Sequence, residues 1–268
     1  MIELNRFKDG KIGAVTLSYD DGTTYDKQLI EILNRYQMKA TFHINSEFFG
    51  TEGKITADEA EEIFRGHEVA VHGSRHRFPT QLPPQNIIYE IFEDRKRLES
   101  IVHYPVTGLS YAFGDVNETV INGLKTCGIV YGRTTHSTFG FRIPNNFLTW
   151  DPTCHHNDCL TCADRFLSFL DKNRFSLFYV WGHAYEFNNN NNWDLIEEFC
   201  KKVHGDDRVW YATNMEIYEY IEAVKRLVIS ADNRMVYNPS AIDVWVSNDG
   251  ETVKIPAGSS VTLDPVRG

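Results

Sequence analysis

Apolar residues recur along the chain in two alternating patterns. Short continuous runs, IGAVTLSY (12–19), KATFHIN (39–45), EVAVH (68–72), VTGLSY (106–111), GIVYG (128–132), FLTW (147–150), SLFYVWG (176–182) and RVWYA (208–212), read as strands. Between them the period lengthens to that of a helix. Leu29, Ile32, Leu33 and Tyr36 form one stripe over 25–36, and Thr56-Ala-Asp-Glu59 is a capping box that opens the next helix. Pro83 and Pro84 start a third over 85–102, and Gly128 closes a fourth over 116–127. Segments 158–173, 193–203 and 214–228 complete the set.

Strand and helix in regular alternation predict parallel βα units, hence an α/β fold: a (β/α) barrel, incomplete or distorted, of seven strands. After about residue 229 the period falls to two. YNPSAIDVWVSNDGETVKIPAGSSVTL, with turns at Asn-Asp-Gly and Pro-Ala-Gly, predicts a small antiparallel β appendage. The expected division is a barrel domain over 1–228 and a β extension over 229–268.

Composition narrows the partners. With 42% hydrophobic and 24% charged residues the chain is ordinary for a globular protein. A formal net charge of -10, without a run of Lys or Arg, argues against nucleic acid. No window approaches the roughly 18 apolar residues of a membrane helix, and MIELNRFKDGKIG lacks a basic region followed by an apolar stretch, so a cytoplasmic address is expected. Five cysteines, an odd number, fit free thiols in a reducing compartment.

In a parallel barrel the functional groups gather at the C-terminal ends of the strands. The polar residues there are Asp20 and Asp21, His72 and His76, Phe113-Gly114-Asp115, Trp150-Asp151, and His183. SYDDG sets two carboxylates side by side before Gly22. The His72-Gly-Ser-Arg-His76 spacing, on one helical turn, would put two imidazoles on one side, although capping or packing explains such a pair as well. With Asp21 the set becomes two histidines and a carboxylate, an open arrangement suited to catalysis.

These motifs resemble those of the polysaccharide deacetylase family, metal-dependent carbohydrate esterases. SYDDG is similar to its Thr-Phe-Asp-Asp-Gly motif, HGSRH to His-Ser/Thr-x-x-His, YAFG to its Pro-Tyr-Gly loop and WGH to its last histidine motif. The resemblance implies that Asp21, His72 and His76 hold a divalent metal, Zn²⁺ first and Co²⁺, Ni²⁺ or Mn²⁺ after it, and that Asp20 is the general base. It further implies an oxyanion contact from the backbone N–H of Phe113 beside Gly114, His183 as the general acid, and Asp151 as the residue that orients His183. The implied activity is removal of N- or O-linked acetyl from a sugar or oligosaccharide.

Departures from the family pattern are specific. Its arginine four residues before the loop glycine, which restrains the base, is here Ser110, leaving Arg133 or Arg142 to substitute; the loop proline is Ala112, and TWDPTCHHND differs from the fourth motif. That segment also carries a rival metal set. Cys154-x4-Cys159-x2-Cys162, beside His155 and His156, has the density of a structural zinc site, and with Cys200 an iron–sulfur spacing. The opposing reading makes Cys159 and Cys162 core residues of an amphipathic helix and lets the two histidines line a cleft with Trp181, Tyr185, Glu186 and Trp193. Two other functions stand as alternatives to deacetylation: a metal-independent amidohydrolase acting on a cyclic ureide, and a non-catalytic carbohydrate-binding protein. No nucleic acid or membrane partner is expected, and the C-terminal hairpins offer a surface for a homo-oligomer.

Overall fold

The structure, a computed structural model, describes residues 1–263; residues 264–268, the end of the expected extension, lie outside the described residues. A two-residue strand β1 (Ile2–Glu3) precedes the parallel strands, which in chain order are β2 (Gly13–Asp20), β3 (Thr41–Ile44), β4 (Glu68–Val71), β5 (Gly108–Ser110), β6 (Tyr131–Arg133), β7 (Cys154–His155), β8 (Ser176–Gly182) and β9 (Val209–Tyr211). In space they run β6-β5-β4-β3-β2-β8-β7, with β9 against the first half of β2. All eight residues of β2 are buried, which is why it reads as an unbroken apolar run.

The sheet curls into an incomplete barrel, as the strand pattern predicted. From β6 the ring continues only through an isolated bridge between Arg133 and Trp150. The expected strand at 147–150 is instead a 3-10 turn over Phe147–Thr149. Asn146 accepts a hydrogen bond from Leu148 N–H at 3.0 Å, which turns the backbone out of the extended path. The strand forms later, at β7, beside β8.

Eight helices cover the sheet among the described residues: α1 (Asp26–Arg35), α2 (Ala57–Ile63), α3 (Pro84–Val102), α4 (Glu118–Thr126), α5 (Cys159–Asp171), α6 (Ala184–Asn189), α7 (Trp193–Val203) and α8 (Asn214–Lys225). The predicted Thr56–Glu59 capping box is present at α2, and Thr213 with Glu216 makes a second at α8. On α5, Cys159, Cys162, Ala163, Phe166 and Leu170 recur at helical spacing and are all buried, so the thiols belong to the core. Helix α6 was not foreseen.

The C-terminal segment forms two small antiparallel sheets from β10 (Val228–Ile229), β11 (Met235–Tyr237), β12 (Val244–Asn248), β13 (Glu251–Ile255) and β14 (Ser260–Thr262). The Asp249-Gly250 turn between β12 and β13 has positive φ at both residues, 50° and 89°. Strand β1 pairs with β12, so the first residues of the chain join the sheet of the last. No helix among the described residues is long and apolar enough to cross a membrane.

Candidate active site

The residues singled out at strand ends meet at one end of the barrel. Strand β2 is extended through Asp20, and Asp21 N–H still bonds to the His43 carbonyl at 2.9 Å. Then φ turns positive at two consecutive residues, 83° at Asp21 and 60° at Gly22. Asp tolerates this region better than most residues, and at Gly22 a Cβ would approach Ile44 to 3.0 and 3.1 Å. The reversal separates the carboxylates: Asp20 is buried, and Asp21 turns toward the histidines.

His72 follows the last residue of β4. Its Nδ1 lies 3.0 Å from the Ser110 carbonyl and 2.7 Å from the Ser110 hydroxyl, which fixes the proton on Nδ1 and leaves Nε2 free as a ligand. His72 Nε2 and His76 Nε2 are 3.1 Å apart, and each is 3.7 Å from Asp21 Oδ1. Three donors bound tetrahedrally at ordinary zinc distances would lie about 3.3–3.5 Å from one another. The donor set therefore fits a divalent ion. The motif does not lie on a helical turn as expected. It follows a tight turn, with His76 in the left-handed region at φ 51°.

Asp20 has a different set of partners. Arg133 Nη2 donates to its Oδ2, Ser110 Oγ to its Oδ1 at 3.2 Å, and His43 Nδ1 lies 3.4 Å from Oδ1. Ser110 and Arg133 face each other in the β5–β6 register, so the neighbouring strand supplies the guanidinium that position 110 lacks. Arg142 is exposed and stands apart. Burial raises the Asp20 pKa, but Arg133 above all, then His72 and His43, hold the carboxyl well below the usual range. Trp181 lies over the guanidinium, 4.4 Å from ring to Arg133 Cζ.

Phe113 has φ 59°, and among the described residues its backbone N–H meets no acceptor. Its ring stacks on Phe78 at 3.8 Å and meets His76 edge-on at 4.4 Å, and both phenylalanines are exposed. At Gly114 a Cβ would clash with Thr135 Oγ1 at 2.2 Å.

His183 caps α6, and its partner is not the expected one. Asp151 accepts a hydrogen bond from the Thr134 hydroxyl, while His183 Nδ1 lies 3.2 Å from Glu186 Oε1, one turn into the unforeseen helix. Burial would lower the His183 pKa, but the Glu186 hydrogen bond and the charges of Asp20 and Asp21 raise it above the ordinary value. Tyr185 lies beside the imidazole, ring centroids 5.1 Å apart. His155 and His156 also converge on Glu186. Burial raises the Glu186 pKa, yet the three imidazoles hold it well below the usual carboxylate range. Among the described residues, the donor groups that could hold a metal are Asp21-His72-His76 and His155-His183-Glu186, and neither includes a cysteine.

The sequence reading missed two residues. His43 lies inside an apolar strand without any local signal, and Lys54, whose Nζ donates to the Asp21 carbonyl at 2.8 Å, comes from a loop that only the fold brings near.

Residues 8–132 match the family model described as polysaccharide deacetylase, which bears out the resemblance read from SYDDG and HGSRH. No curated protein matches the chain. A polysaccharide deacetylase structure from Mycobacterium smegmatis is similar at 17% identity and TM-score 0.61, over 83% of this chain and 96% of that one. A family 4 carbohydrate esterase from Streptomyces lividans, solved with acetate, is similar at 15% identity and TM-score 0.51, over 74% and 91%. These likenesses establish the incomplete barrel. A deacetylase from Streptococcus pyogenes, also solved with acetate, is 20% identical with TM-score 0.47, and the match covers 50% of this chain and 61% of that protein.

Proposed function

We propose that this chain is a metal-dependent hydrolase that removes acetyl groups, N- or O-linked, from a carbohydrate. One observation carries the reading: a buried carboxylate restrained by Arg133 and Ser110 stands directly beside a separate set of two imidazoles and a carboxylate. Acetate in the similar Streptomyces lividans esterase structure is the product that such a reaction would release.

Asp21, His72 and His76 would hold the cation, with Zn²⁺ the best fit to their donor types. When bound, it would polarise the acyl carbonyl and lower the pKa of water. Asp20, ionised at neutral pH, takes the proton from the attacking water. Its partners hold the oxygen atoms in place and keep the base charged. The Phe113 N–H is free to stabilise the oxyanion. His183, whose raised pKa favours the protonated form, donates a proton to the departing amine or alcohol. The exposed Phe113–Phe78 pair, with Trp181 and Tyr185 across the site, offers apolar faces for a sugar ring. A cytoplasmic address would favour a small sugar conjugate or oligosaccharide.

Hydrolysis of a cyclic ureide without metal, or sugar binding alone, would leave the convergence of Asp21, His72 and His76 without a use. The test is to measure bound metal together with acetate release from acetylated sugars and from a generic acetyl ester. Bound metal, acetate release and loss of both on chelation are expected. A wild-type protein that binds no metal, or releases acetate equally well after chelation, overturns the reading.

A further inference from the structure

His155, His156, His183 and Glu186 come from the β7 strand and the turn after it, the end of β8, and the first turn of α6. Position by position nothing in the chain links them. In space the donor atoms of His155, His183 and Glu186 lie within 4.8 Å of one another.

His183 Nδ1 is hydrogen-bonded to Glu186 Oε1 at 3.2 Å, but the contacts of His155 and His156 with Glu186 have lengths without hydrogen-bond directions. Glu186 Oε2 is 3.0 Å from His155 Nε2 and 3.1 Å from His156 Nε2, yet Oε2 has no hydrogen-bond partner. His156 is fully buried, and neither ring nitrogen has a partner. The His155 and His156 nitrogens, which crowd a carboxylate oxygen at 3.0 and 3.1 Å without pointing N–H groups at it, are arranged as ligands around a shared centre, not as donors. The ring of His156 is fixed by stacking on Phe187, 4.2 Å between centroids, and by Gly182, where a Cβ would come within 2.1 Å of its Nδ1. A buried polar ring with no partner is costly unless something satisfies it.

We infer that Glu186, His155 and His183 form a second metal site, distinct from Asp21-His72-His76, that takes a borderline first-row divalent cation such as Zn²⁺. Two imidazoles and one carboxylate supply three donors of the types such cations prefer, and His156 Nε2 stands 3.1 Å from the carboxylate they share. The cation would replace the His183 Nδ1–Glu186 Oε1 hydrogen bond at 3.2 Å, while Asn157 N–H holds His155 Nδ1 at 3.4 Å and leaves its Nε2 for the cation. The inference stands on this geometry and does not require deacetylation.

The two sites are separated by counting metal. Protein dialysed against Zn²⁺ and then against buffer should carry two equivalents, and Asp21→Ala/His76→Ala one. Adding Glu186→Gln to that double variant should remove the last equivalent, and His155→Asn, at a half-exposed position, should do the same if the glutamine variant misfolds. Co²⁺ in the double variant should give ligand-field bands without a thiolate charge-transfer band. A wild type that holds a single equivalent, a second equivalent that survives both Glu186→Gln and His155→Asn, or a thiolate band from Cys154, Cys159 or Cys162 overturns the proposal.

Discussion

At the residue scale, the pair that matters most is Asp20 and Arg133. Both are buried, and removing one leaves the other an uncompensated charge. Arg133→Met should lower unfolding free energy by about 3–5 kcal/mol in denaturant titrations, and Arg133→Met/Asp20→Asn by much less. Equal losses in both would mean that the pair is not coupled. The two adjacent acids and the two histidines were legible in the sequence because their spacing is local. The arginine was narrowed to two candidates and no further, since only strand order puts Arg133 opposite Ser110. The partner of His183 was misjudged for the same kind of reason. Glu186 is three residues along, and that spacing matters only once Ala184–Asn189 is a helix.

At the element scale, strand and helix periodicities located most of the barrel, and local backbone chemistry decided the exceptions. FLTW has strand composition, but Asn146 bonds back to the chain and makes it a turn. The reversal after Asp20 has the same character. Gly22→Ala places a Cβ at φ 60° against Ile44 and should cost about 1–2 kcal/mol, read as a lower denaturation midpoint. Thr213 caps α8 by accepting from Glu216 N–H, so Thr213→Ala should cost about 1 kcal/mol, or roughly 2–4 °C in melting temperature. An unchanged melting temperature would mean that this cap contributes nothing.

At the scale of the whole molecule, the barrel interior holds a carboxyl whose titration couples to folding. Glu68 accepts from Tyr131 Oη at 2.6 Å, Thr41 Oγ1 at 2.8 Å and Met215 N–H at 2.8 Å, yet burial raises its pKa to about 7. A raised acid stabilises the fold fully below its ordinary value of 4.5, and that contribution is lost as pH rises through about 7. Stability should therefore fall from pH 5 to pH 8 by an amount on the order of 3 kcal/mol from this group. Glu68→Gln should flatten that part of the profile, and identical profiles would remove Glu68 as its source. The fold class and the antiparallel C-terminal sheets were legible from periodicity. The pairing of Ile2–Glu3 with β12 was not, because two residues carry no period.

The same scale holds the catalytic reading, in which a barrel brings a base, a metal site and an acid to one end from separate strands. It is tested most directly by acetate release from an acetylated oligosaccharide, measured for wild type and Asp20→Asn with metal content determined on each sample. Asp20→Asn should bind as much metal as wild type and release acetate about 10²–10⁴-fold more slowly. Undiminished acetate release by Asp20→Asn would contradict it.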